Sequence, residues 1–237
     1  MIRAALFDLD GTLFDRDVSI KRFAADQYAR LFTTNTLVPV EHFIQLFIEI
    51  DQHGYTPRDR LYTSLCAECM VTIFSCEALR QDFDLHFKRF ITPMPSLHEM
   101  IDQLHRQEIL LGIITNGQEM MQMETVRSLG IHDDFQTIVI SGSVGVRKPD
   151  PGIFRYALEA LAIEATECVF IGDHPDADIQ GAAAVGIQPL WKRVPYWPAV
   201  DIGEIPIDDL AEIPRILQSL DAANMNRPPL IFESPAT

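Results

Sequence analysis

Positive charge is scarce in this sequence: 19 Lys and Arg stand against 34 Asp and Glu in 237 residues, a formal charge of −15. Such a field repels a phosphate backbone rather than displacing its counterions, which argues against any nucleic acid polymer as partner. A small phosphate ester is still admissible, because a local cation overturns an unfavourable distant field at short range. Cysteine is sparse too. Cys66, Cys69, Cys76 and Cys168 are too few for a disulfide scaffold in a chain of this size, in keeping with a reducing compartment. Long apolar runs are missing. The first, Ile2 to Phe7, is too short for the core of a signal peptide, and nothing downstream approaches the roughly 20 residues that span a bilayer. The expectation is a cytoplasmic protein with no membrane partner. What is present, 47% hydrophobic and 22% charged residues, suits a folded chain with a substantial core.

Ile2 to Phe7 reads as a buried strand running toward the turn-forming pair Asp10-Gly11. The pattern returns at Ile109 to Ile114, Thr137 to Ile140 and Cys168 to Ile171, each time followed by a polar or glycine-bearing turn and a helical stretch. Strands alternating with helices predict an α/β fold, a doubly wound, Rossmann-like parallel sheet covered on both faces. Ser96 with Glu99 predicts a capping box ahead of Leu97, Met100, Ile101 and Leu104. Asp150-Pro151 predicts an N-cap followed by proline in the first turn, with Ile153, Phe154, Ala157, Leu158 and Leu161 as the apolar face. Residues 16–92 break the rhythm with helical patterns alone, such as Phe43, Leu46, Phe47 and Ile50. They are expected to form a second, smaller all-helical domain inserted into a core made of residues 1–15 and 93–221. Residues 222–237, bearing Asn226, Pro228, Pro229 and Pro235, read as an irregular tail.

The turn after the first strand is Asp8-Leu9-Asp10-Gly11-Thr12. Two aspartates two apart share a direction while the chain is extended, and here they stand at the carboxyl end of a strand, where open α/β sheets bind ligands. Two close carboxylates repel, so the pair calls for a cation or a shared proton. Magnesium, a hard ion that bridges carboxylates to phosphate, is the simplest answer. Three more strand-end sites follow in order: Thr115-Asn116-Gly117, Lys148-Pro149, and Gly172-Asp173 with Asp178. Each alone is an ordinary turn or helix start.

As an ordered set, these residues resemble the haloacid dehalogenase-like hydrolases, all four of whose motifs are present. The resemblance covers residues 1–15 and about 93–195, and in that family an insertion after the first motif is a helical cap. It implies that Asp8 attacks phosphorus and carries an aspartyl-phosphate, and that Asp10 is general acid and then base. Thr115 and Lys148 would hold the transferring group, with Thr12, Asn116 and Gly117 beside it. Asp8, Asp10 through its carbonyl, Asp173 and Asp178 would surround Mg²⁺. Asp10 itself favours a phosphatase over a dehalogenase, since halide needs no proton to leave. The implied substrate is a small phosphorylated metabolite of the nucleotide, sugar phosphate or phosphoglycolate class. The alternatives are a sugar-phosphate mutase or other phosphotransferase, and a catalytically idle binding protein on the same fold.

The substrate-selecting residues are expected in the loop-like stretch His53, Gly54, Tyr55 and Arg58. Neither Lys21 nor Lys88 is assigned a Schiff-base role. His174 departs from the family pattern and reads as a surface or supporting histidine. Cys66, Cys69, Cys76 and His86 lack a familiar zinc spacing and read as packing residues. The cluster Met120, Met121 and Met123 reads as core filling, and Trp191, Tyr196 and Trp197 as cover for the sheet edge.

Overall fold

In a computed structural model, residues 1–32, 38–69, 75–198 and 201–225 are described. The chain runs β1 (Ala4–Phe7), α1 (Arg16–Leu31), α2 (Val40–Asp51), α3 (Arg58–Glu68), α4 (Cys76–His86), α5 (Leu97–Arg106), β2 (Leu110–Thr115), α6 (Glu119–Ser128) and β3 (Thr137–Ile140). It continues through α7 (Ser141–Val144), α8 (Pro151–Leu161), β4 (Cys168–Gly172), a π-helical turn (Pro175–Gln180), α9 (Gly181–Ala183), β5 (Gln188–Lys192), β6 (Ile205–Ile207) and α10 (Ile213–Met225). The strands form one six-stranded sheet in the order β3-β2-β1-β4-β5-β6, parallel throughout.

Alternation along the strands explains why both faces are covered. Ala5, Phe7, Leu111, Ile113, Val169 and Ile171 join one apolar cluster, with Leu97, Met100 and Leu104 of α5. Their neighbours Ala4, Leu6, Ile114, Cys168 and Phe170 join a second, with Ile153, Phe154 and Ala157 of α8. A parallel strand buried on both faces reads as a continuous apolar run, which makes β1 to β4 legible in the sequence. β5 and β6 are not legible in that way, because Pro189, Lys192 and Pro206 interrupt them. Trp191 therefore belongs to the sheet rather than covering its edge.

The segments joining the helical insertion to the sheet lie side by side: Asp15 N donates to Thr92 O at 2.8 Å and Met94 N to Leu13 O at 3.0 Å. α1 starts where Asp15 accepts from Val18 N, and Phe23 at its centre meets the rings of Phe47, Phe83, Phe87 and Phe90. The N-cap at Asp150 is present. The capping box at Ser96 is not: its φ of 61° is left-handed rather than the extended backbone of a capping serine, its side chain makes no capping bond, and its carbonyl accepts from Met100 N. α10 continues through Met225, so residues 222–225 are helical rather than part of an irregular tail; 226–237 lie outside the described residues. Among the described residues no helix is long and apolar enough to cross a membrane.

Candidate active site

Sequential connections leave β1 toward β2 on one side, while β4 lies on the other, so the carboxyl ends of β1 and β4 flank the switch point of the sheet. Asp8 follows β1 with its N–H still bonded to Ile171 O of β4 at 2.8 Å, and Asp173 follows β4. Asp178 comes back to them from the π-helical turn. Gly172 permits this, since a Cβ there would lie 2.5 Å from the Asp178 side chain; Gly11, at φ +82°, would place one 2.9 Å from Asp173 Oδ2. Asp8, Asp173 and Asp178 are all buried, and each offers an oxygen within 4.8 Å of the others.

Lys148, 3% exposed, donates to Asp8 Oδ1 at 2.6 Å and lies 2.7 Å from Asp178 Oδ1. Burial opposes its charge, but Asp178 and Asp8 outweigh that and push its pKa above the usual lysine value. Asp8 is pushed up to about 7, chiefly by burial, with Lys148 opposing and the charges of Asp178 and Asp10 adding to the rise. Asp173 is raised well above the carboxylate range by burial and by Asp8 and Asp178. Three buried carboxylates around one lysine are short of positive charge. Hard oxygens in this number and proximity fit a divalent cation.

The second aspartate faces elsewhere. Asp10 Oδ1 accepts from Arg16 Nη1 at 3.3 Å and Oδ2 from Gln122 Nε2 at 2.6 Å, and its carboxylate is not part of the buried trio. Thr115 ends β2 with its hydroxyl 2.5 Å from Gln122 Nε2. Asn116 does not extend its amide toward the cavity: Nδ2 donates to Lys148 O and Oδ1 accepts from Lys148 N, at 3.0 and 2.9 Å, which fixes the lysine's backbone. Gly117 N–H is bonded to Ser141 Oγ at 3.0 Å. Thr12 is wholly buried, its hydroxyl lacks a partner, and it does not line the cavity.

Asp8, Asp10, Thr115 and Lys148 open onto a cavity of about 810 Å³, closed on its far side by residues of the helical insertion. His53, Gly54, Tyr55 and Arg58 all line it, with Arg80, Met120 and Met121. Met120 is 74% exposed, so the methionine cluster is in part a cavity wall rather than core filling. Arg58 lies 4.1 Å above the Phe83 ring and donates to Asp84 at 2.8 Å. His53 stacks on Tyr196 at 3.5 Å, and the Tyr196 hydroxyl is 3.4 Å from Asp173 Oδ2. His174 serves the site from behind: its ring accepts from Asp176 N and Ala177 N, capping the π-helical turn, and its own N–H holds Asp178 Oδ2 at 3.0 Å. Cys66, Cys69 and Cys76 are free thiols, and His86 pairs with Asp82.

Arg16, Asp51 and Gln122 belong to the site although no motif in the sequence marks them. Arg16 Nη2 bonds Asp51 at 2.8 Å while Nη1 reaches Asp10. An arginine in a helix's first turn runs against the macrodipole, and that is the one signal it offers. For Gln122 the signal is a lone amide among methionines directly after a strand-end turn.

The model of a family described as haloacid dehalogenase-like hydrolase matches residues 5–192. A glyceraldehyde 3-phosphate phosphatase of Methanopyrus kandleri is 31% identical over 79% of this chain and 82% of its own. An N-acylneuraminate-9-phosphatase of Mus musculus is 25% identical over 93% of this chain and 95% of its own. Other matches are shorter: that to the Pyrococcus furiosus glyceraldehyde 3-phosphate phosphatase spans 57% of either chain. A magnesium-bound HAD-hydrolase from Bacillus subtilis shares the fold, with a TM-score of 0.70 at 23% identity over 91% of this chain and 98% of that one. The chain belongs to the haloacid dehalogenase-like hydrolases.

Proposed function

We propose that the chain hydrolyses small phosphomonoesters with Mg²⁺, using Asp8 as nucleophile and Asp10 as acid and then base. The observation that carries this reading is Asp8 itself, buried at the sheet's switch point with Lys148 at 2.6 Å and two further carboxylates within metal-sharing distance. One carboxylate oxygen of Asp8 attacks phosphorus and the ester P–O bond breaks. The departing alkoxide takes a proton from Asp10. A water then gives a proton to Asp10 and attacks the aspartyl-phosphate, releasing inorganic phosphate and the Asp8 carboxylate. Lys148 and the Thr115 hydroxyl offset the charge on the phosphoryl oxygens, the main task in phosphoryl transfer. Asp8, Asp173, Asp178 and the Asp10 carbonyl would hold Mg²⁺, which neutralises charge between the nucleophile and the phosphoryl group.

The cavity narrows the substrate class. About 810 Å³ is far more than a two-carbon acid phosphate fills. Its distal wall alternates Arg58 and Arg80 with Asp59, Glu77 and Asp84, which suits a hydroxylated or zwitterionic leaving group better than a second phosphate. A sugar phosphate is therefore favoured over phosphoglycolate. Phosphate release from a panel containing N-acetylneuraminate 9-phosphate, glyceraldehyde 3-phosphate, phosphoserine, phosphoglycolate and nucleoside monophosphates, each with Mg²⁺ or EDTA, tests this. Mg²⁺-dependent release strongest on a sugar phosphate is expected; no release from any ester sinks the reading.

Metal and protons compete at Asp8. With its pKa near 7 in the metal-free fold against 3.8 ordinarily, the folded protein holds a proton that the unfolded chain has released. Between those values stability falls as pH rises, by up to about 1.4 kcal/mol per pH unit. Mg²⁺ replaces the proton above that window. The rise in melting temperature on adding Mg²⁺ should thus be several degrees larger at pH 8 than at pH 5; equal rises would show that the ion binds elsewhere.

A further inference from the structure

We infer that Gln122 is a positioning residue for phosphoryl transfer, holding Asp10 and the Thr115 hydroxyl in register through one side-chain amide. The inference rests on the reading of Asp10 as acid and base.

Gln122 sits in the first turns of α6, where a long side chain leans back toward the helix N-terminus and over the preceding turn. It is 8% exposed, and its Nε2 lies 2.6 Å from Asp10 Oδ2, 2.5 Å from Thr115 Oγ1 and 3.4 Å from Asn116 O. An amide nitrogen has two protons, and the two short contacts take both. The Thr115 hydroxyl, already accepting from Gln122, keeps its own proton to donate, which is the polarity a phosphoryl oxygen needs. With Oδ2 held by Gln122, Asp10 is left with Oδ1 as the oxygen that can face a leaving group, its other contact among the described residues being Arg16 at 3.3 Å. Arg16 has the shorter bond to Asp51, so it is the partner that yields when a leaving oxygen arrives.

The backbone accommodates this arm. A Cβ on Gly117 would stand 2.8 Å from Gln122 Cγ and 2.9 Å from Cδ. Glycine at 117 leaves room for the glutamine lying against it.

The test separates positioning from packing by the leaving group. p-Nitrophenolate departs without a proton, whereas an alkoxide needs one, and kcat/KM reports the steps through the first phosphoryl transfer. Gln122→Met keeps the length of the side chain and removes the amide; Gly117→Ala keeps the amide and displaces it. Each should lower kcat/KM for 2-glycerol phosphate by about 30-fold or more, within the range of general acid catalysis, and for p-nitrophenyl phosphate by less than about threefold. Asp10→Asn, measured alongside, should show the same selectivity. Equal losses on both esters in the Gln122 and Gly117 variants, with selectivity retained by Asp10→Asn, overturn the inference alone. Equal losses in Asp10→Asn overturn the acid role of Asp10 and the inference with it.

Discussion

Asp8→Asn should lower kcat by on the order of 10⁴-fold or more on every phosphomonoester, without lowering the stability of the metal-free protein. The two halves have one cause. Asp8 is buried with Asp173 and Asp178, and burial together with the charges of Asp178 and Asp10 works against its own charge. An amide of the same shape removes a nucleophile and also a buried charge, while Lys148 keeps Asp178 at 2.7 Å. In EDTA at pH 8 the variant should melt at or above the temperature of the unmodified chain, an instance of function held against stability. Turnover that survives the substitution would sink the covalent mechanism; a large fall in melting temperature would mean that the Lys148 to Asp8 bond stabilises the fold on balance.

Asp8, the proposed nucleophile, stands out in the amino-acid sequence because of where the fold puts it. A central parallel strand must be apolar on both faces, so Ala4 to Phe7 are conspicuous, and the first carboxylates after such a strand fall at the ligand-binding end of the sheet. Lys148, Asp173 and Asp178 are legible through their own positions. The two aspartates follow the apolar run of β4, and a lysine just ahead of a helix N-terminus is electrostatically misplaced unless something anionic meets it. Side-chain direction is not legible. Asn116 and Gly117 read as substrate contacts, and both line the cavity, but their place in a turn does not reveal that the Asn116 amide braces the Lys148 backbone or that the Gly117 N–H is bonded to Ser141. Nothing in a turn's composition says which way an amide faces. β5 and β6 escape for a different reason: a strand near the sheet's edge tolerates Pro189 or Pro206, and prolines read as coil. The cavity wall is half legible. The loop from His53 to Arg58 shows itself by its irregularity, whereas Arg16 and Gln122 lie on helices, and what ties both to the site is Asp10, with which each forms a hydrogen bond.

Lys148→Met should be the most damaging substitution to the fold among the site residues, by about 3–5 kcal/mol in the metal-free protein at pH 8. The lysine is the cation that Asp8 and Asp178 share at 2.6 and 2.7 Å, and removing it leaves buried carboxylates facing one another. Asp8 and Asp173 are already raised, and losing the lysine raises them further, so the variant takes up protons readily. Protons then stand in for the lost cation. The stability gap between variant and unmodified chain should therefore shrink as pH is lowered from 8 to 5, whereas a methionine that merely packed badly would leave the gap unchanged with pH. Urea unfolding in EDTA at the two pH values measures it. With Mg²⁺ present the gap at pH 8 should also narrow, because the ion and the lysine offset the same charges, while kcat stays depressed, because the lysine also contacts the nucleophile. A gap that is the same at both pH values and in both metal conditions would mean that the trio of carboxylates does not share its charge as the distances imply.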